Sequence, residues 1–234
     1  MYIMNKKIIA SAIAKPQAMD MDKWIANILS AKQRYGMPIM TYPGLGLTGH
    51  NINDVVTDPE KQYSCMEALA GKFPSAAIVM PMDLSVEAEA FGAPVKFSSE
   101  EIPGVTGKIL KDRHSVEMLE IPAISAKRTG VYVQAAALAV KRSHQGRPVF
   151  GSHIGPFSLL SSIFDATALM FLFYDEPELV HLALRKVTDF LINYSEAFKQ
   201  AGAQGVIIAD PTAGEISSEH NQKFSAQYIK EIIL

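Results

Sequence analysis

Cysteine is all but missing from this chain of 234 residues, where Cys65 stands alone. A single thiol excludes an internal disulfide and suits a reducing compartment. Its place between Tyr63 and Met66 in a helical pattern makes it a core residue. An excess of one charge is missing too: 22 basic and 24 acidic residues leave a net charge of −2. No dense Lys/Arg block occurs, so nucleic acid is not an expected partner. Lys6-Lys7 and Lys127-Arg128 are isolated pairs and read as solvated faces. No apolar run is long enough to span a bilayer, the stretch from Ala168 to Tyr174 included. The apolar segment Ile8–Ala14, after Asn5-Lys6-Lys7, is too minimal for a secretion signal, and a cytoplasmic protein without a membrane anchor is expected.

Several catalytic signatures are absent as well. His50, His114, His144, His153, His181 and His220 show no metal-ligand spacing to one another, and no His-Glu-x-x-His occurs. No metal ligand is therefore assigned. Gly44-Leu45-Gly46-Leu47-Thr48-Gly49 has the wrong spacing for a dinucleotide fingerprint. Ser158, Ser161 and Ser162 lack a neighbouring His–Asp pair, which argues against a serine hydrolase.

What is present is an alternation of helix and strand patterns in a chain that is 48% hydrophobic. Asp22 is expected to cap a helix with Trp24, Ile25, Ile28 and Leu29 on one face. Residues 37–42 read as a first strand, 43–49 as an irregular glycine-rich loop, and Asp58-Pro59-Glu60 as a helix start. A second strand is expected at 76–82 and short β pieces at 94–97 and 105–110. A long helix over about 126–144 leads to a third strand at 148–154. Helical segments cover 156–174. From Pro177 onward, Leu179, Ala183, Val187, Phe190, Leu191, Tyr194 and Phe198 form one apolar stripe. A fourth strand spans 205–210, and 219–234 reads as helical.

Strands alternating with long helices imply parallel pairing with right-handed crossovers. In such folds ligands bind at the C-terminal ends of the strands. Asp83, Glu87 and Glu89 arrive just past such an end, in Met82-Asp83-Leu84-Ser85-Val86-Glu87-Ala88-Glu89-Ala90-Phe91. A carboxylate there costs desolvation unless it meets a donor. The competing reading makes Asp83 a helix cap and the two glutamates a solvated helix face. His153 and Asp210 also end strands and are expected to face the mouth; for Asp210 a turn or helix cap is the alternative. His50 lies in the glycine-rich loop.

Pro38-Ile39-Met40, the segment Ala76 to Gly92, Gly155-Pro156-Phe157-Ser158-Leu159 and Ile208-Ala209-Asp210 together resemble the uroporphyrinogen decarboxylase superfamily. Within it, the chain is similar to the branch of methylcobalamin:coenzyme M methyltransferases and related corrinoid-dependent methyltransferases. The resemblance runs from about Asp22 to the C-terminus. It implies a (β/α)8 TIM-barrel type of α/β fold, here truncated to about the first four βα units plus an N-terminal helix. Residues 1–21 would be an N-terminal extension and 22–234 the partial barrel domain. Strand edges at 38–42 and 206–209 would then be exposed, and self-association follows.

The decarboxylase branch needs a pair of arginines in the loop after the first strand. Here Tyr42 to His50 carries none. Its tyrosine position falls on Ser162, and the residue after Asp210 is Pro211 rather than serine. The methyltransferase branch is similar at these points. It implies methyl transfer from methylcobalamin, free or on a corrinoid protein, to a small thiol such as coenzyme M. It also implies a zinc ion that holds the thiolate, with ligands (a His-x-Cys pair and a distant Cys) expected in a C-terminal third that this sequence does not contain. Asp83 and Asp210 are the candidate catalytic residues. Tyr42, Gly44, His50, Glu87, His153, Ser158 and Thr212 are the candidate substrate- or cofactor-binding residues. Two other readings stand: a divergent uroporphyrinogen decarboxylase, and a catalytically empty remnant that binds a corrinoid protein or a barrel partner.

Overall fold

A computed structural model describes residues 19–40, 42–142 and 146–233. Residues 1–18 of the expected extension over 1–21, and His144, lie outside the described residues. Helix α1 (Met21–Ser30) is capped by Asp20, which accepts from the Lys23 N–H at 2.9 Å. Asp22, the expected cap, sits in the first turn instead, where its charge suits the helix dipole. Ile25 and Leu29 are exposed rather than inward. Trp24 anchors the helix by donating from Nε1 to the Ala76 carbonyl at 3.3 Å.

The glycine-rich stretch is not all loop, because α2 (Leu45–Thr48) forms within it. α3 (Ile52–Thr57) and α4 (Pro59–Lys72) follow, and Asp58 caps α4 with Pro59 in its first turn, as its residues require. Then come β1 (Ile78–Val79), α5 (Val86–Ala90), the antiparallel pair β2 (Val95–Lys96) and β3 (Gly104–Val105), and α6 (Arg113–Glu117). α7 (Thr129–Arg142) leads to β4 (Val149–Ile154), α8 (Pro156–Ile163) and α9 (Ala166–Asp175). α10 (Pro177–Gln200) starts without a side-chain cap, Asp175 having been absorbed into α9. Gly202, at φ 93°, turns the chain out of α10 toward β5 (Gly205–Ala209). A 3-10 turn (Pro211–Gly214), α11 (Ser218–Asn221), a π turn (Gln222–Ala226) and α12 (Gln227–Ile233) complete the described chain.

The main sheet is parallel, in the order β1-β4-β5. The whole α10 stripe is buried, from Leu179 to Phe198. Gly151 lets α10 come close: a Cβ there would lie 2.5 Å from the Phe198 ring.

Among the described residues the expected first strand is not in the sheet, which therefore has three strands rather than four. One backbone bond ties the segment to the strand region, from Ala76 N–H to Gly36 C=O at 2.8 Å. In an extended chain Pro38 shares the direction of Gly36, and it has no N–H to continue a ladder on that side.

Candidate active site

Two consecutive features of the chain after β1 build the site. Met82–Ser85 turns sharply, and α5 then points its first turn inward. Asp83 is 4% exposed and is not a helix cap; Ser85 holds the N-cap position. Asp83 Oδ1 instead accepts from the Ser85 N–H at 3.0 Å and the Ser85 hydroxyl at 2.7 Å.

The donor that a buried carboxylate demands is Arg128, itself 5% exposed. Its guanidinium donates from one terminal nitrogen to Asp83 Oδ2 and from the other to Ser85 Oγ at 2.8 Å. Nε donates to Glu89 Oε2 at 2.5 Å, and the Phe97 ring lies 4.8 Å from the guanidinium carbon. The Tyr132 hydroxyl completes Asp83 at 3.1 Å. The reading of Lys127-Arg128 as a solvated pair is thus corrected: Arg128 is a buried hub for two carboxylates. A guanidinium just ahead of helix α7 opposes the helix dipole, but that alone does not tell a buried arginine from a solvated one.

Tyr42 belongs to the same neighbourhood. Its hydroxyl is buried without a hydrogen-bond partner, and burial, then the charge of Asp83, push the phenol well above its ordinary value. Glu87 is 1% exposed, which removes the solvated-face reading for it. Its Oε1 accepts from the Ile154 N–H at 3.4 Å and its Oε2 has no partner. Burial pushes its carboxyl up to about 8, so it carries a proton at neutral pH.

His153 does not face the strand-end mouth as expected. Its ring lies between β4 and α10, with Nε2 2.8 Å from Ser195 Oγ and Nδ1 2.8 Å from the Ile154 carbonyl. A carbonyl only accepts, so Nδ1 carries the proton and Nε2 accepts from the serine. Burial lowers its pKa to about 4. The imidazole is a neutral packing element.

Asp210 lies across the strand ends from Asp83's turn and bonds to α8. Oδ1 accepts from the Ser158 N–H at 2.7 Å, in the first turn of α8, and Oδ2 from the Ser225 hydroxyl at 2.6 Å. Ser158 Oγ accepts from the Thr212 N–H at 3.0 Å. Gly155 makes this approach feasible, since a Cβ there would fall 2.4 Å from Asp210 Cβ. Gly44 and His50 lie elsewhere, on α4: Gly44 packs on the Cys65 backbone, and His50 Nε2 meets Ser64 Oγ at 3.1 Å.

Between these groups lies a cleft of about 510 Å³, lined by Met82, Leu84, Ser85, Pro103, Lys108 and Thr212 among others. It sits where the chain leaves β1 and β5, the edge at which parallel sheets bind ligands. Lys108 is the one cation in its lining, and its Nζ already donates to the Ser161 and Ser162 carbonyls at 2.8 and 3.0 Å. Of the expected residues, Thr212 lines this cleft. Asp83 and Glu87 lie behind its wall, and Ser158 and Asp210 brace the turn that carries Thr212.

A parallel α/β sheet with a cleft at its strand ends defines the class of protein. The profile of the family Uroporphyrinogen decarboxylase (URO-D) matches residues 44–234, and the chain belongs to that family. It is similar to the methylcobamide:CoM methyltransferase MtbA of Methanosarcina acetivorans, 31% identical over 179 residues, which are 75% of this chain and 52% of that protein. It is also similar to the uroporphyrinogen decarboxylase of Vibrio cholerae, 27% identical over 169 residues, which are 69% of this chain and 47% of that protein. A solved methyltransferase from Methanosarcina mazei shares the fold, with a TM-score of 0.75 at 23% identity over 85% of this chain and 59% of that one. The chain spans about half the length of the curated relatives it matches. Among the described residues no helix is long and apolar enough to cross a membrane.

Proposed function

We propose that the chain serves corrinoid-dependent methyl transfer, in which a small thiol such as coenzyme M accepts the methyl group of methylcobalamin, free or protein-bound. The observation that carries this reading is that, among the described residues, the two cations beside the strand ends are already engaged. Arg128 is spent on Asp83 and Glu89, and Lys108 on two carbonyls. A tetrapyrrole bearing many carboxylates would find no bidentate partner there, whereas a small thiol needs none. The likeness to the MtbA proteins supports the same choice.

Zinc, which the family resemblance implies, does not fit the donors described here. Among the described residues no three His, Cys, Asp or Glu side chains come together as a metal site. Cys65, the single thiol, is buried against Thr48 Oγ1 at 3.1 Å, and burial raises its pKa. No step is therefore routed through a metal. Among the described residues, Thr212, Ser85 and the Lys108 corner shape the cleft, while Asp83, locked by Arg128, and Asp210, locked by Ser158 and Ser225, hold its walls.

The test incubates the chain with zinc, methylcobalamin and coenzyme M, following loss of the methylcobalamin spectrum and formation of the methyl thioether. A parallel reaction with uroporphyrinogen scores loss of carboxyl groups. Thioether without decarboxylation supports the reading. Decarboxylation overturns it in favour of the second enzyme. Binding of methylcobalamin by calorimetry with neither product moves the chain to the non-catalytic binding role.

A further inference from the structure

Buried polar atoms without a hydrogen-bond partner are rare, because each gives up its bond to water and gains nothing in return. Among the described residues five side-chain atoms are in this state: Tyr42 Oη, Gln62 Oε1, Glu87 Oε2, Thr188 Oγ1 and Tyr194 Oη. Three of the five belong to groups that feel the charge of Asp83, namely Tyr42, Glu87 and Tyr194. They mark one polar region rather than scattered packing faults.

The packing of α5 on α10 brings two of these groups together. The Phe91 ring, at the end of α5, meets Phe190 of α10 edge-on, with centroids 5.1 Å apart. Glu87 lies one turn back from Phe91 and Tyr194 one turn on from Phe190, so each shares a face with the packed ring. Both also meet the end of β4. Glu87 Oε1 accepts from the Ile154 N–H at 3.4 Å, and the Tyr194 ring lies 6.1 Å from the His153 ring. Glu87 is 1% exposed and Tyr194 0%, so bulk solvent reaches neither.

Their chemistry says what they lack. Burial keeps the Tyr194 phenol and the Glu87 carboxyl protonated at neutral pH. Glu87 Oε1 already accepts from Ile154, so the acid proton sits on Oε2. Each orphan is then an O–H donor in want of an acceptor. An anion is disfavoured there, because Asp83 and Glu89 set two negative charges against the one positive charge of Arg128. A cation would face the positive ends of both O–H groups. A compact, neutral acceptor remains.

We propose that an internal water molecule sits between α5, α10 and the end of β4, accepting from Glu87 Oε2 and Tyr194 Oη. Water suits the place because it accepts from both groups and keeps two hydrogens to donate. It ties α5, which follows directly on the Asp83 turn, to α10, and so stiffens the back of the cleft.

A crystal structure of the chain should show one ordered water within hydrogen-bond distance of both atoms. A direct Glu87–Tyr194 bond, or a dry gap between the two, overturns the proposal. Urea unfolding of Tyr194→Phe gives an independent sign. If the hydroxyl serves a water, its loss should lower the folding constant about three- to tenfold. An unchanged or raised constant means that the hydroxyl serves nothing, and the proposal fails. In a Glu87→Leu chain the water has already lost its other donor, so Tyr194→Phe should cost less there than in the native chain. Equal losses in the two chains also overturn the bridge.

Discussion

Arg128 and Asp83, 45 residues apart in the sequence, meet as a buried ion pair that ties the start of α7 to the turn after β1. Burying two charges is favourable only when every remaining donor and acceptor is served. Ser85, Glu89 and Tyr132 supply that completion here.

Removing one partner should therefore be far more damaging than an exposed charge loss. Arg128→Ala should cost about 3–5 kcal/mol of stability, since it strands Asp83. Arg128→Lys should recover part of this, because a lysine replaces the charge but not the fork. Urea unfolding of the three proteins checks the order.

Glu87 should make stability fall as pH rises. Its folded pKa, up at about 8, lies above the ordinary 4.5, so between those values the folded chain holds a proton that the unfolded chain has released. Its stabilising contribution is full below about pH 4.5 and is lost as pH climbs through 8. Glu87→Gln should remove that slope, measured as melting temperature at pH 5 and pH 8.5.

His153 acts in the opposite sense. With its folded pKa down at about 4 against an ordinary 6.5, the unfolded chain binds the extra proton, so stability is present above pH 6.5 and is lost as pH falls toward 4. His153→Gln should flatten the melting temperature between pH 6.5 and 4.5, and an unchanged slope would show that the ring is not buried as described.

Gly155→Ala should destabilise by about 1–3 kcal/mol, because its Cβ would occupy the space of Asp210. Asp210→Ala should cost about 0.5–2 kcal/mol through the lost contact to the first turn of α8. Alanine at 210 keeps the Cβ that lies 2.4 Å from the added methyl, so the clash persists in the double variant and the two costs should nearly add. Chemical denaturation of the four proteins gives the coupling directly.

The tertiary context overrode local readings at specific places. Residues 37–42 read as a strand, yet among the described residues the segment joins no ladder, and Pro38 has no N–H to give to one. His153 ends a strand as its position foretold, but the pleat sends it toward α10 rather than the mouth. Lys127-Arg128 looked solvated because nothing local distinguishes a buried arginine from an exposed one.

The amino-acid sequence by itself determined what short-range chemistry decides. The caps at Asp58 and the turn at Gly202, the α10 stripe, the strand cores at 149–154 and 205–209 and the core position of Cys65 all follow from neighbours a few residues away. Only the tertiary structure decided which charges meet. Asp83 with Arg128, and Asp210 with Ser158 and Ser225, are brought together by parallel crossovers tens of residues long or by turns after them. Sequence periodicity says which face of an element is buried, but not which polar group on another element it will find there.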